Sequence, residues 1–445
     1  MRPLRLYNFS SRKIEKFKLI SKTVGLYTCG PTVYDFVHIG NLRTYIFEDI
    51  LRRVLEVNGY KVKHVENITD VDDKIIKGMR EKGIGISEFT KPYEEHFFED
   101  LEKLNIKKAR FYPKATQHIK EMTNLIGRLM EKGLAYKTED GIYFDISKFP
   151  NYGKLSNLEK RELRQGARVE ADEYEKENPA DFALWKFKKP DEPYWPSTWG
   201  DGRPGWHIEC SAMAMKYLGE TIDIHCGAVD LLFPHHENEI AQSDGATGKK
   251  FVNYWLEGEH LLLSGQKMAK SLGNIVTLEI LESKGFDPLA FRYLILTAHY
   301  RTKLNFTWDS LKSATNALNN LKFEVANMKG EGRIDQALTK KFVESVNDDL
   351  DVPQALAILW ETVRSDLDGG IKRETILKFD QVLGLGLDEI KTAELPKGAR
   401  ELIAKREKFR AKGNFEEADK IRNQLKEVGV EIEDAEKGPI WKIRT

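Results

Sequence analysis

His235 and Glu239 stand four residues apart in Pro234-His235-His236-Glu237-Asn238-Glu239, a spacing that puts both on one face of a helix and lets them grip one ion. The overlapping pair His236-Glu237 fails as a peptidase-type zinc motif, because Ile240 stands where the second histidine would be. Two donors on a helix want two more. Cys29 ends a strand-like apolar run in the first half of the chain, and Cys210 sits in the helical stretch Trp206-His207-Ile208-Glu209-Cys210-Ser211-Ala212-Met213. Two thiolates, an imidazole and a carboxylate are a four-donor set suited to zinc. Each residue alone has another reading: a cysteine as a small buried apolar side chain, a histidine pair as helix-surface groups. Cys226, inside an apolar strand, reads as core filling.

A second chemistry is phosphate binding. The run Thr23-Val24-Gly25-Leu26-Tyr27 reads as a buried strand, and Leu42 to Leu51 carries apolar residues at helical spacing. Between them lie Cys29-Gly30-Pro31 and His38-Ile39-Gly40-Asn41. A strand that turns into a helix at the edge of a parallel sheet is where ligands bind, and the helix start offers unpaired amides to phosphate. Far downstream, Lys267 and Lys270 occupy a loop flanked by Gly265 and Gly273. Thr69, at the carboxyl end of a second strand, is expected to face the same pocket, whereas Asp70, Asp72 and Asp73 read as helix caps.

The elements that must hold these groups follow from patterning. Tyr60 to Val65 alternates as a strand, completing a βαβ unit. From about Ile86 to Gly133 the chain reads as helices, with Pro113 at a helix start, and Ile142 to Asp145 as a short strand. From Pro150 to about Gly205 the pattern breaks into a charged run, Glu159 to Glu177, and a proline-punctuated aromatic stretch. The sheet resumes with Thr221 to Cys226, a helix opened by Pro234, and Phe251 to Leu256; beyond Asp287 the reading is helical to about residue 428, with a terminal hairpin after it. The fold class is therefore α/β: a Rossmann-type parallel sheet split by an insertion, followed by an α-helical bundle and a small C-terminal tail domain.

The chain has 445 residues, 41% hydrophobic, enough for more than one domain. Its formal charge of zero gives no global attraction to nucleic acid or membrane, so any such surface is local. No apolar run approaches the length of a membrane span, no apolar signal core follows Met1-Arg2-Pro3, and three cysteines suit a reducing compartment. The expectation is a cytoplasmic protein.

His38-Ile39-Gly40-Asn41 and Lys267-Met268-Ala269-Lys270-Ser271 resemble, in order, the HIGH and KMSKS signatures of class I aminoacyl-tRNA synthetases. Cys29-Gly30-Pro31-Thr32-Val33-Tyr34-Asp35, Asn67-Ile68-Thr69-Asp70-Val71-Asp72-Asp73-Lys74, Asp181 to Lys186, Gly205 to Met213, Phe233 to Glu239 and Asp348 to Ala355 look like the cysteinyl-tRNA synthetase family over nearly the whole chain. The resemblance implies one zinc ion per chain held by Cys29, Cys210, His235 and Glu239. It implies ATP contacts from His38, Gly40, Asn41, Lys267 and Lys270, with His38 and the two lysines catalytic. Cysteine contacts are implied for Cys29, Gly30, Thr69 and Trp206. The implied partners are cysteine, ATP with Mg2+ and tRNA(Cys), for a monomer without membrane contact.

It also implies boundaries: catalysis within 1–300 with an insertion at about 115–205, a helical bundle at 301–395 and an anticodon-binding domain at 396–445. Two departures stand out. Asn41 replaces the last histidine of the first signature and cannot be cationic, and Ala269 replaces a serine of the second. Between Lys397 and Lys412 seven Lys or Arg face two Glu, and Trp441 stands beside Lys442 and Arg444, a combination that suits stacking on an unpaired base. Two alternatives stay open: a cysteine ligase of the mycothiol-biosynthesis type, which has an amino-sugar acceptor, and a non-catalytic RNA-binding relative.

Overall fold

The computed structural model describes residues 3–157, 181–268, 273–388, 398–435 and 438–443. A hairpin, β1 (Arg5–Asn8) and β2 (Lys13–Lys16), opens the chain. β3 (Val24–Thr28) is buried along its whole length, as a strand covered on both faces must be. α1 (Ile39–Val57) then crosses to β4 (Val62–Glu66). After α2 (Asp73–Lys82), α3 (Ile86–Lys103) and α4 (Ile119–Glu131) the chain builds a separate antiparallel sheet. Its strands are β5 (Ala135–Lys137), β6 (Gly141–Phe144), β7 (Phe182–Phe187) and β8 (Gly202–Pro204), in that spatial order. Pro113, expected at a helix start, instead lies between α3 and α4, where its carbonyl accepts from Ile68 N at 2.8 Å.

The chain returns to the first sheet through α5 (Trp206–Leu218), β9 (Ile222–Ala228), α6 (Glu237–Thr247) and β10 (Val252–Gly258). The order β10-β9-β3-β4 is parallel throughout, so the two halves meet where β3 pairs with β9. That junction is the switch point of a doubly wound sheet, where a crevice opens beyond the strand ends. Two short strands follow, β11 (Leu261–Leu263) and β12 (Gln266–Lys267), then α7 (Leu278–Ser283) and α8 (Pro288–Leu296). β13 (Leu304–Phe306) runs parallel to β11, interrupting a region expected to be wholly helical; three residues are too few to show alternation.

The bundle is α9 (Trp308–Asn327), α10 (Gln336–Val346), α11 (Val352–Arg364) and α12 (Gly369–Leu383). The tail is α13 (Ala399–Ala411) and α14 (Phe415–Glu427), closed by the antiparallel hairpin β14 (Val430–Ala435) and β15 (Gly438–Ile443). One apolar core runs from Leu4 through α1 into the bundle as far as Leu387, whereas the tail has its own core around Ile403, Ile421 and Leu425. Asp349, with φ 58°, accepts from Tyr7 N at 2.7 Å, the Tyr300 hydroxyl at 2.7 Å and Arg301 Nε at 2.8 Å, tying β1 to the bundle. Among the described residues no helix is long and apolar enough to cross a membrane.

α1 is buried almost all round, which is why it carries ion pairs inside the protein. Asp49 Oδ2 takes Arg53 Nε at 2.7 Å and Arg292 Nη2 at 2.6 Å, and Arg292 also donates to the Leu383 carbonyl at the end of α12. Burial works against the Asp49 carboxylate, but the two guanidiniums outweigh it and hold its pKa below the usual range. The cluster's stabilisation is therefore complete above the unfolded value of about 3.9 and is lost as pH falls below it. Asp49→Asn leaves two buried guanidiniums without a counter-charge and is expected to destabilise the protein by about 3–5 kcal/mol. Denaturant unfolding checks this; an unchanged midpoint would show that the pair contributes nothing.

Candidate functional site

Because all four strands of the first sheet are parallel, their carboxyl ends gather on one side. A cavity of about 650 Å³ opens there, lined by Cys29, Gly30, His38, Gly40, Asn41 and Trp206 among others, with Asp230, Glu259 and His260 on the far wall. Gly30 is required by a close approach: a Cβ there would sit 1.8 Å from the Asn67 carbonyl oxygen.

At the phosphate-binding side, His38 caps α1. Its Nδ1 accepts from Asn41 N at 3.2 Å, and Asn41 Oδ1 accepts from His38 N at 3.1 Å. This reciprocal box gives Asn41 a role that histidine's ring would fill less simply. With Nδ1 accepting, a neutral His38 ring carries its proton on Nε2. Gly40 keeps the helix start open: a Cβ there would meet the His38 ring and Met268 Cε, each at 2.9 Å. Met268 is buried and lines the cavity, so the segment that begins the lysine loop packs against the start of α1. Lys270 lies outside the described residues, as does the side chain of Lys267.

At the other side four potential metal donors converge. One donor atom from each of Cys29, Cys210, His235 and Glu239 lies within 4.8 Å of the others, and all four residues are buried. They come from the end of β3, the first turns of α5, the turn before α6, and α6. The regular helix begins at Glu237 rather than at Pro234, because residues 232–236 form a wider turn with Phe233 extended. His235 and Glu239 still meet, Nε2 to Oε1 at 3.2 Å. A rival set, Cys29, His225, His236 and Glu239, satisfies the same distance limit and shares two members with the first.

The electrostatics favour deprotonated sulfur at Cys210. Its hydrogen bond with Cys29 is the largest influence and, with His235, draws its pKa down to about 6 against burial. Burial, followed by Cys210, pushes the Cys29 thiol up, so the two sulfurs share a proton with the charge on Cys210. Burial also opposes the His235 imidazolium, yet Cys210 and Glu239 outweigh it and raise it to about 10. Glu239 is held well below the usual carboxylate range: burial raises it, but His225 and His235 more than offset that. The buried thiolate and carboxylate are anionic donors, and the protons on the His235 ring and the Cys29 thiol are ones a divalent cation can replace. Glu239 Oε1, moreover, faces the His235 ring at 3.2 Å without the alignment of a hydrogen bond. The donor set fits zinc.

Several supporting groups escaped the sequence reading. Asn67 Oδ1 accepts from the Tyr27 hydroxyl at 3.2 Å and Gly30 N at 3.1 Å and lies 3.6 Å from Cys210 Sγ, so it touches both cysteine-bearing segments. His207 Nδ1 contacts His235 Nδ1 at 3.0 Å, leaving Nε2 of His235 toward Glu239. His236 Nδ1 pairs with Glu257 at 2.8 Å, and His225 stacks on Trp255 at 4.5 Å. The available signal was density: four of the ten histidines fall between positions 207 and 236. Thr69, expected to face the pocket, is buried; its hydroxyl donates to Glu209 at 2.9 Å and accepts from Asn67 Nδ2 at 3.2 Å. Trp206 does line the cavity, its ring 4.3 Å from that of His235.

Comparison with known proteins identifies the family. Residues 16–316 match the family model of the class I (C) tRNA synthetase catalytic domain, and residues 392–441 that of the cysteinyl-tRNA ligase anticodon binding domain. A cysteine–tRNA ligase of Chlamydia pneumoniae is 46% identical over 462 residues, covering 98% of this chain and 97% of that protein. One from Brachyspira hyodysenteriae is 46% identical over 472 residues, covering 99% and 100%. The fold is shared with methionyl-tRNA synthetase of Mycobacterium tuberculosis solved with methionyl-adenylate, at TM-score 0.58 and 15% identity over 84% of this chain and 92% of that one. The chain belongs to the cysteinyl-tRNA synthetase family of class I aminoacyl-tRNA synthetases.

Proposed function

We propose that this enzyme is a cysteine–tRNA ligase whose amino-acid pocket holds one zinc ion on Cys29, Cys210, His235 and Glu239, with ATP and Mg2+ as the activating pair and tRNA(Cys) as acceptor. The observation that carries the reading is the meeting of those four donors beside the cavity that the His38–Asn41 helix start also lines. Of the two donor sets, this one has two sulfurs and so is the softer, better suited to zinc. His235 lies against Trp206, which lines the cavity, whereas His225 and His236 lie against Trp255, which does not.

When bound there, zinc supplies a soft contact that takes a thiolate and leaves a serine hydroxyl protonated and weakly held. Shape alone separates such near-isosteres by only about 10–200-fold. Gly30 and Trp206 bound the space for the amino acid. In the first step the cysteine carboxylate attacks the α-phosphorus of ATP and the bond to pyrophosphate breaks. His38 Nε2–H and the amides at the start of α1 stabilise the phosphate charge, and Lys267 and Lys270 neutralise the departing pyrophosphate. In the second, a terminal ribose hydroxyl of tRNA attacks the adenylate carbonyl and AMP leaves.

Residues 1–300 are assigned to catalysis with the insertion at about 115–205, 301–395 to the bundle and 396–445 to anticodon binding, in a cytoplasmic monomer. Three buried cysteines without a disulfide support the reducing compartment. ATP–pyrophosphate exchange, measured with each amino acid in turn, is the test. Exchange with cysteine alone is expected; equal exchange with serine, or none with cysteine, would sink the assignment.

A further inference from the structure

A second groove, of about 360 Å³, lies between α2 and α3 and shares Tyr34, Asp35 and Lys74 with the wall of the main cavity. The groove therefore runs off the mouth of the site where the adenylate forms. Its lining alternates rings and ammonium groups. Lys74 Nζ stands 5.0 Å above the Tyr34 ring, and Lys82 Nζ stands 5.2 Å from Phe89 and 5.8 Å from Tyr93. Lys82 also donates to the Tyr93 hydroxyl at 3.4 Å, which aims its charge into the groove. Lys77 adds a third exposed cation, paired weakly with the exposed Glu81 at 3.9 Å.

The walls are built to hold this shape. Gly78 lets α2 and α3 approach, since a Cβ there would lie 2.3 Å from the Phe89 ring. Asp73, at the start of α2, is bridged by Lys186 at 2.8 Å and by Arg203, so the antiparallel sheet of the insertion braces the helix. Phe36, 42% exposed, extends the aromatic edge against Tyr93 at 5.0 Å. Lys77, Lys82, Phe89 and Tyr93 line this groove and not the main cavity.

We propose that this groove receives the unpaired 3′ end of tRNA and guides its terminal ribose into the cavity. The inference rests on the reading of the chain as a tRNA-charging enzyme. An unpaired strand presents base faces and regularly spaced phosphates, and half-buried tyrosines with interleaved lysines answer both. In a chain of zero net charge, three lysines against Asp35 and Glu81 form the local cationic surface that a phosphodiester strand requires.

The test uses the full-length zinc-loaded enzyme carrying Lys77→Gln and Lys82→Gln together, two residues outside the ATP and cysteine contacts. Cysteine-dependent pyrophosphate exchange without tRNA is expected to match wild type, which also shows that the variant is folded. Charging of tRNA(Cys) is expected to fall about tenfold in kcat/KM, mainly through KM, and the salt slope of binding to become shallower by about 1.4. Binding of tRNA(Cys) stripped of its unpaired 3′ nucleotides is expected to be equal for variant and wild type. Charging within about twofold of wild type, a parallel loss of exchange, or equal weakening of intact and shortened tRNA would each overturn the proposal. Wild-type enzyme lacking cysteine-dependent exchange would overturn the ligase reading instead, so the two failures are separable.

Discussion

Cys210→Ser is expected to lose bound zinc and cysteine-dependent pyrophosphate exchange together, with exchange falling on the order of 10³, the upper range for one lost electrostatic contact. The sulfur is buried, lies among the donor atoms of Cys29, His235 and Glu239, and has its pKa drawn down by Cys29 and His235 against burial, which favours the thiolate. A serine hydroxyl in the same place stays protonated and leaves His235 and Glu239 without their anionic neighbour. Zinc content per chain and the exchange rate are the two readings. A variant that lost zinc yet kept wild-type preference for cysteine over serine would refute the metal's role in selection. A variant that kept zinc would point to the rival set of Cys29, His225, His236 and Glu239, in which Cys210 takes no part.

His38→Ala is expected to lower the rate of adenylation by about 10²–10³ through loss of a donor to the phosphates, and to cost about 1 kcal/mol of stability through loss of the α1 cap. The two effects can be separated. Asparagine is a good cap, so His38→Asn supplies an acceptor for Asn41 N but no ring donor. It should restore stability while leaving adenylation impaired, and pre-steady-state pyrophosphate release with thermal melting reads both. If His38→Asn restored the rate as well, the ring would act only by shaping the helix start.

These two sites differ in how far they could be read in advance. The strand-to-helix crossing at β3 and α1 was legible because its apolar spacing is local, and Gly30 and Gly40 mark close approaches that only glycine permits. The donor residues were legible as types, but not which of two overlapping sets, since that depends on how His207, His225 and His236 stack around them. Asn67 looked like one polar residue after a strand; its importance comes from reaching Tyr27, Gly30 and Cys210, which are distant in sequence. The partner of Thr69 was hidden for the same reason, as Glu209 lies 140 positions away. The charged run at 159–177 and the tail residue Arg444 lie outside the described residues, as do the side chains of Trp441 and Lys442.

The parallel sheet also sets an order of events during synthesis. β3 lies in the interior of the sheet, yet one neighbour, β4, is made soon after it, while the other, β9, begins at Ile222, 194 positions after Thr28. At ribosomal speeds of about 5–20 residues per second that interval is roughly 10–40 s. For that time β3 shows an unpaired edge, rich in apolar side chains, to whatever else is nearby. The nascent first half is thus a natural client for a chaperone, and a chain stalled within the insertion would be left with its stickiest strand uncovered.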